Sequence, residues 1–214
     1  MNVASRLERK PLVLACGALA GDLRAVLAAD GLDARIEVEY LPANLHNRPD
    51  LIAPSLRPRL QAAVDEGRAV FVAYADCGTG GALDALLAEF PGTQRLAGAH
   101  CYELFAGPEA FGALHDEELG TFYLTDFLAK HFDALVWSGL GLDRHPGLRD
   151  TYFGNYRRLV LLSQSPDAAL LARGRAAADR LGLAFVHRST GRDGLRAPVL
   201  AFAADRQAAH AAAR

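Results

Sequence analysis

The chain has 214 residues, of which 51% are hydrophobic and 22% are charged, and this size suits one domain with a sizeable core. The formal net charge of −2 provides no electrostatic basis for a nucleic-acid or anionic-membrane partner. No apolar run approaches the roughly 18 to 20 residues that cross a bilayer, and the first residues lack the pattern of a secretion signal. We therefore expect a cytoplasmic protein that does not enter the membrane.

Short apolar runs alternate with longer amphipathic stretches, which is the pattern of an α/β fold. Strands are predicted at residues 11–16, 34–41, 69–75, 93–99, 134–140, 158–164 and 184–189. Helices are predicted at 21–30, 49–66, 80–89, 108–115, 121–132, 146–153, 166–181 and in the alanine-rich tail from 204. Continuously apolar runs such as "VFVAY" suit strands that helices cover on both faces. The prediction is a single three-layer domain, residues 1–214, with one mostly parallel sheet flanked by helices.

The three cysteines share one sequence setting. Cys16 and Cys77 each close a predicted strand, precede a glycine and open a loop into a helix, and Cys101 lies in the similar stretch "LAGAHCYELFAG". Because ligands bind outside the carboxyl ends of strands in an open α/β sheet, we expect the three thiols to form a shared site there. A lone free cysteine is more often a small buried hydrophobic residue, but three of three in this setting favour the site.

Three neighbouring thiolates repel one another, and a soft metal ion or an iron–sulfur cluster converts that repulsion into coordination. Zinc would take a fourth ligand, for which His100 beside Cys101 is the first candidate, with His46 and His145 as further ones. A [4Fe-4S] cluster on three cysteines would leave one iron free for substrate. The cysteine spacings match neither zinc-finger nor ferredoxin pairs, so the sequence predicts a metal centre on Cys16, Cys77 and Cys101 and leaves the metal open.

Glycines follow the first two cysteines: Gly17 after one, and Gly78, Gly80 and Gly81 after the other. We expect these glycines to let the backbone pass close to a cofactor and to turn N–H groups toward its sulfurs or an anionic substrate. They are therefore the predicted cofactor-binding residues. Asp76, at the start of the second loop, is most simply a cap of the strand end, and it is also placed to orient a ligand.

Three polar residues are candidate acid–base groups. Asp143 and His145 follow the predicted strand 134–140, where a carboxylate–histidine pair can move protons or bind a metal. A helix cap at Asp143 with His145 packed nearby explains the same residues equally well. Glu103, two residues after Cys101, is a candidate proton carrier, although a glutamate at this kind of position is usually solvated.

Six stretches of the sequence resemble the DUF1638 family, over residues 11 to about 195. They are "LACGAL", "LPANLHNRP", "DCGTGGALD", "HCYELFAG", "GTFYLTDFL" and "GLGLDRHPGLRDTYFGNYRRLV". The resemblance implies one-carbon or methylamine-type metabolism, in association with corrinoid-dependent methyltransferases. The largely anaerobic setting of the family favours an iron–sulfur cluster slightly over zinc.

Together these features predict a metal-dependent enzyme that acts on a small substrate, as a lyase or as a methyl or one-carbon transferase. The alternative is a non-catalytic metal or cofactor carrier that serves a corrinoid methyltransferase protein. A third interpretation, a metal-free domain that binds a small molecule, requires the cysteines to lie apart. A catalyst should direct acid–base groups at the metal, whereas a carrier should have an exposed centre with an apolar docking rim.

Overall fold

The computed structural model describes residues 9–212, so residues 1–8, on which the expectation about a secretion signal depends, lie outside the described residues. The predicted α/β class is confirmed, since helices alternate with strands that all pair in parallel. The chain divides into two compact units, one formed by Met1–Leu104 with Gly194–Arg214 and the other by Phe105–Asp193. The single-domain assignment stays a prediction, and each unit is described by itself.

The first unit contains a four-stranded parallel sheet. Its strands are β1 (Leu12–Cys16), β2 (Glu37–Leu41), β3 (Val70–Ala73) and β4 (Gln94–Arg95), in the order β2–β1–β3–β4. Its helices are α1 (Ala20–Ala29), α2 (Ile52–Asp65), α3 (Ala82–Leu87) and α4 (Cys101–Ala106), with 3-10 helices at Gly17–Leu19, Ala43–Asn47 and Pro49–Leu51. The central strands β1 and β3 are buried along their whole length, as their continuous apolar runs predict.

The strand order of this sheet reverses at its centre. From β1 the chain goes to the edge strand β2 and then crosses to β3, on the other side of β1. Such a reversal opens a crevice at the carboxyl ends of the two central strands, which is where open α/β sheets bind their ligands. By this rule, a ligand of the first unit would bind beyond the last residues of β1 and β3.

The second unit contains a three-stranded parallel sheet. Its strands are β5 (Thr121–Thr125), β6 (Arg158–Ser163) and β7 (Ala184–Ser189), in the order β5–β6–β7. Its helices are α5 (Pro108–Glu117), α6 (Asp126–Lys130), α7 (Leu148–Phe153) and α8 (Ala168–Leu181), with a π-helix at Asp133–Trp137. The fully buried Leu159 and Leu161 of β6 lie in its hydrophobic core. The last helix, α9 (Asp193–Ala212), belongs to the first unit from Gly194 onward. It contains the predicted tail helix as far as residue 212, and residues 213 and 214 of that prediction lie outside the described residues.

Two predicted elements are wrong. Residues 134–140, predicted as a strand, lie in the π-helix and the turns that follow it. Residues 121–132, predicted as one helix, form β5 and then α6. Short apolar runs do not distinguish strand from helix by their periodicity, and here the pairing of β5 along β6 decides the outcome. The single predicted sheet is accordingly replaced by two parallel sheets.

Candidate metal centre

The carboxyl ends of the four strands in the first unit each lead to a side chain that can bind a metal. Cys16 is the last residue of β1, and His46 lies in the 3-10 helix that follows β2. Cys77 follows β3, and Cys101 begins α4 after β4. Because parallel strands end at the same edge of a sheet, residues far apart in sequence meet there. The predicted strand-end positions are thus observed, while the role of these residues as ligands stays a prediction.

The three cysteines are free thiols that lie within electrostatic range of one another. Burial raises the pKa of Cys16 to about 11. Burial, with the neighbouring Cys16, raises the pKa of Cys77 to about 12. The pKa of Cys101 is raised chiefly by burial, and further by the other two cysteines and by the buried Asp22 of α1. Without a cation, all three thiols therefore keep their protons at neutral pH.

His46 contacts the first of these thiols. Its Nδ1 lies 3.6 Å from Cys16 Sγ and 3.1 Å from the carbonyl oxygen of Ala43. Because a carbonyl only accepts hydrogen bonds, Nδ1 carries the proton of the neutral ring, and Nε2 keeps its lone pair. Burial lowers the pKa of His46, which favours this neutral form. Metal-binding histidines have the same arrangement, one ring nitrogen donating to a carbonyl and the other free for the metal.

Gly17 makes this contact sterically possible. A Cβ atom at Gly17 would lie 2.8 Å from the carbonyl oxygen of Leu41 and 3.2 Å from the backbone nitrogen of Ala43. Only glycine therefore allows the exit of β1 to lie against the segment that carries His46. The backbone at Gly17 does pass close to another segment, as predicted, but that segment is the end of β2. Contact between Gly17 and a cofactor stays a prediction.

Tyr74 is a residue of this site that the sequence reasoning missed. It directly follows β3, and its side chain is 1% exposed. Its ring stacks with that of His46, with 6.2 Å between the centroids and 12° between the planes. Burial raises the pKa of Tyr74, and Cys16 and Cys77 raise it further, which places the hydroxyl beside the thiols. The only signal in the sequence was a single phenol in the otherwise apolar run "AVFVAYA".

Asp76 organises the glycine-rich loop after Cys77. Its carboxyl oxygens accept hydrogen bonds from Thr79 Oγ1 at 2.6 Å, Gly80 N at 3.2 Å and Gly81 N at 3.0 Å. These bonds lower the pKa of Asp76, with the Thr79 hydroxyl as the largest cause. The predicted cap is therefore present. Because Asp76 holds the N–H groups of Gly80 and Gly81, these groups do not point to a sulfur or an anionic substrate, contrary to the prediction.

Backbone hydrogen bonds join the Cys77 loop to the segment that leads to Cys101. Asp76 N donates to the carbonyl oxygen of Gly98 at 3.2 Å, and Cys77 N donates to that of Ala99 at 2.7 Å. The φ angle of Cys77 is +52°, in the left-handed region that non-glycine residues seldom occupy, and Gly78 follows at +82°. Such backbone strain persists where surrounding contacts enforce it, and it is often found at functional sites.

His100 and Glu103 form the beginning of α4. Glu103 N donates to His100 Nδ1 at 3.5 Å, and Glu103 Oε2 accepts from Ala99 N at 3.0 Å. The pair resembles a capping box, in which two residues satisfy backbone N–H groups at a helix start. Both residues therefore have a structural role next to Cys101, and the metal-ligand role of His100 and the proton-carrier role of Glu103 stay predictions.

Asp143 and His145 lie in the second unit, and both are exposed. Asp143 Oδ1 accepts a hydrogen bond from Arg144 N at 3.0 Å, and His145 N donates to the carbonyl oxygen of Gly141 at 2.9 Å. The segment before them is helical, so their predicted position at a strand end is not observed. Their catalytic role stays a prediction and has lost its topological basis.

Within residues 9–212, no group of three or more histidine, cysteine, aspartate or glutamate side chains is arranged to hold a metal ion. In the same part of the chain, no helix is both long enough and apolar enough to span a membrane.

Comparison with known families identifies one match. Residues 40–197 match the model of a family described as "Protein of unknown function (DUF1638)", which confirms the resemblance seen in the sequence. The match covers most of the chain and contains Cys77 and Cys101, whereas Cys16 precedes it. No curated protein and no solved structure matches the chain.

Proposed function

Given that the chain belongs to the DUF1638 family, we propose that it holds a soft metal centre on Cys16, Cys77 and Cys101 and is an enzyme that acts on a small substrate. One observation carries the proposal: the free thiols of Cys16 and Cys77 follow the two central strands where the strand order reverses, and Cys101 is within electrostatic range of both. Each thiolate would raise the cost of ionising the next, and a soft cation removes that cost by bonding to all three.

The donor set fits two kinds of metal centre. Three cysteines and His46, with its Nε2 lone pair, would form a Cys₃His set for zinc, and His100 is the alternative fourth ligand. Three cysteines alone fit a [4Fe-4S] cluster, in which one iron stays open for substrate. A four-ligand zinc site is closed, whereas an enzyme needs an open position, so we favour the cluster, as the anaerobic setting of the family also does.

The proposed reaction class rests on a metal that the three cysteines would hold beside the neutral His46. The metal would supply Lewis-acid chemistry, and Nε2 of His46 would accept a proton from the bound substrate. A lyase and a methyl or one-carbon transferase can each use a Lewis-acid metal together with a proton acceptor. Either activity agrees with the one-carbon metabolism that the family resemblance implies. The free thiols also support a reducing compartment, and we propose the cytoplasm.

The second candidate is a metal or cofactor carrier that serves a corrinoid methyltransferase protein. One observation favours it: Gly78 and Gly80, which follow Cys77, are exposed. A docked partner would therefore have access to a centre beside these residues.

The test is anaerobic purification of the full chain, followed by iron, sulfide and zinc analysis and an absorption spectrum. A cluster predicts about four iron and four sulfide per chain, and a zinc site predicts about one zinc. We expect Cys16→Ser, Cys77→Ser and Cys101→Ser each to lose at least about nine-tenths of the metal, because each removes a soft ligand.

The histidines supply a matched pair of variants. His46→Gln should lower zinc occupancy if the centre is Cys₃His and leave cluster occupancy largely intact, while the exposed His115→Gln is the control and should change neither. Full metal occupancy in the three cysteine variants, or no metal in the wild-type chain after anaerobic reconstitution, would overturn the proposal.

A further inference from the structure

A small cavity in the second unit is lined by residues of α6, the π-helix and the second half of α8. Its volume is about 170 Å³. Alanines form part of its wall, and four charged side chains line it: Lys130, Asp133, Arg173 and Arg180. Three positive charges and one negative charge give the lining a net charge of +2. A small anion would therefore be attracted into this cavity.

Two contacts hold Arg180 in place at the cavity. Its Nη1 donates a hydrogen bond to Asp133 Oδ1, and its Cζ lies 3.7 Å from the centre of the Trp137 ring. Asp133 and Trp137 are the first and last residues of the π-helix. Helices of this kind are rare and occur frequently at functional sites. A guanidinium has five N–H donors, so Arg180 can donate to an anion in the cavity while it keeps its ion pair with Asp133.

The other two cations have no counter-charge. Within the residues that the structure describes, neither Lys130 nor Arg173 forms an ion pair or a side-chain hydrogen bond. Both side chains are exposed, and they come to the cavity from two different helices. An anion between them would offset their mutual repulsion and pair with both.

Arg175 shows that an exposed arginine on α8 is not by itself the distinguishing feature. It lies two residues after Arg173 and is also exposed, but it does not line the cavity. Residues two apart on a helix do not share a face. The Cζ of Arg175 lies instead 4.9 Å from the centre of the Phe185 ring. Arg175 is therefore the matched control: the same side chain on the same helix, away from the cavity.

We propose that this cavity binds a phosphate group, held by Lys130, Arg173 and Arg180. Arginine binds phosphate through paired N–H donors, and lysine binds it as a point charge. The volume of about 170 Å³ corresponds to about six water molecules of about 30 Å³ each, which is room for a phosphate group. Drug-sized ligands occupy pockets of about 300 Å³ or more, so the ligand is inorganic phosphate or a small phosphomonoester. This inference concerns the second unit alone and does not depend on the proposed metal centre.

The experiment is calorimetric titration of the full chain with inorganic phosphate at constant ionic strength, with thermal unfolding as the check of folding. Arg173→Gln and Lys130→Gln should each bind phosphate about tenfold more weakly, because each loses a charge-assisted contact. Arg175→Gln should bind phosphate like the wild type. Ala176→Leu keeps every charge but fills part of the cavity, so it should lose most of the affinity. All four variants should unfold close to the wild-type temperature, because the replaced side chains are exposed.

Two further probes define the ligand. Methyl phosphate distinguishes the two sources of a phosphate group. If it binds at least as tightly as inorganic phosphate, the ligand is a phosphomonoester, and if it binds more weakly, the ligand is inorganic phosphate; both results support the site. Acetate is a smaller anion with a single charge, and acetate that binds as tightly as phosphate would refute phosphate as the ligand class.

Three outcomes overturn the site itself. The first is a wild-type chain that shows no saturable binding of either phosphate compound. The second is an equal loss of affinity in Arg173→Gln and Arg175→Gln, which would reflect the total charge of α8 and not the cavity. The third is unchanged affinity in Ala176→Leu, which would place the anion outside the cavity.

Discussion

Buried polar groups lie at the carboxyl edges of both sheets. The two edges differ in the hydrogen bonds that these groups make within the protein. At the edge of the second sheet, Asp126 accepts hydrogen bonds from Gln164 N at 3.0 Å and Ser165 N at 2.9 Å. Gln164 Oε1 accepts from Asp126 N at 3.2 Å, and its Nε2 donates to the carbonyl oxygen of Leu162 at 2.8 Å. Ser163 Oγ lies 2.7 Å from His187 Nε2. These bonds tie the ends of β5, β6 and β7 to one another.

At the edge of the first sheet, the thiols and the phenol have few or weak protein partners. Cys16 Sγ receives the Ala18 N–H at 3.3 Å and is a neighbour of the buried Tyr74 hydroxyl. Buried networks of strong donors and acceptors rigidify a fold, whereas thiols are weak hydrogen-bonding groups and suit a soft ligand. We therefore interpret the second edge as scaffold and the first as a binding site. The following predictions test that difference, from the largest expected effect to the smallest.

The largest effect is the pH dependence of metal binding at the first edge. Burial raises the pKa of Cys16 to about 11 and that of Cys77 to about 12, and the pKa of Cys101 is raised as well, so all three thiols are protonated at neutral pH. Zinc bound as a tris-thiolate complex releases about three protons, so its affinity should rise up to about 1000-fold between about pH 6.5 and 7.5. Competition with a chromophoric chelator measures this slope in the metal-free protein. Cys101→Ser should lower the slope by about one proton, and a flat profile in the wild type would contradict thiolate ligation.

The second prediction concerns the scaffold edge. Asp126→Ala removes the acceptor for two backbone N–H groups, those of Gln164 and Ser165. The free energy of unfolding should fall by about 2 to 4 kcal/mol, because the buried Gln164 N–H left without a partner costs about 1 to 3 kcal/mol and loss of the bond to the exposed Ser165 costs about 1 kcal/mol more. Chemical denaturation measures the loss. Asp126→Asn keeps one acceptor oxygen and should lose less unfolding free energy. The metal content of either folded variant should equal that of the wild type. A loss of metal would contradict the assignment of this edge as scaffold.

The third prediction is an alkaline loss of stability in the metal-free protein. The pKa of Cys16 is raised from 9.0 to about 11, so above pH 9 the unfolded chain loses this proton while the folded chain keeps it. Stability from this thiol is therefore fully present below pH 9 and declines as pH rises to 11, by about 3 kcal/mol in total. Denaturation at a series of pH values measures the slope. Cys16→Ala should show a shallower decline, and equal slopes in the two proteins would refute a raised pKa for this thiol.

The smallest expected effect belongs to the Ser163–His187 hydrogen bond. Ser163 is fully buried, whereas His187 is half-exposed and can replace the lost partner with water. Ser163→Ala should therefore lower the free energy of unfolding by only about 1 kcal/mol. The measurement is chemical denaturation at neutral pH with His187→Gln in parallel. A loss of several kcal/mol would mean that the network at this edge is more cooperative than its separate hydrogen bonds indicate.

Long or well-capped segments were predictable because their signals are local. The run at 158–164 is β6, and the helix expected to start near Asp167 and end before Gly182 is α8, in which Asp167 accepts the Leu170 N–H at 2.7 Å. The two failures are residues 121–132 and 134–140. In the first, the capping residue Thr125 lies inside the predicted helix, where its Oγ1 accepts the Leu128 N–H at 3.4 Å; the second has no capping side chain. Strand pairing with β6, distant in sequence, decides the first of them.

The candidate site was predictable only in part, and for a related reason. Ligands bind beyond the carboxyl ends of parallel strands, and this rule located Cys16 and Cys77 without knowledge of which helices cover the sheet. It did not select among the histidines. His100 was preferred for its place beside Cys101, yet His46 has the observed contact with Cys16, because Gly17 allows two loops to pack closely.

By itself the sequence determined the α/β class, the positions of the thiols at strand ends and the Asp76 cap, because alternation of apolar runs, chain direction and short-range hydrogen bonds are properties of neighbouring residues. Only the tertiary structure decided the division into two sheets, the contact of His46 with Cys16 and the burial of the Tyr74 hydroxyl. Each of these depends on which distant segments pack against one another, and that choice is made by the free energy of the whole fold, which no local pattern contains.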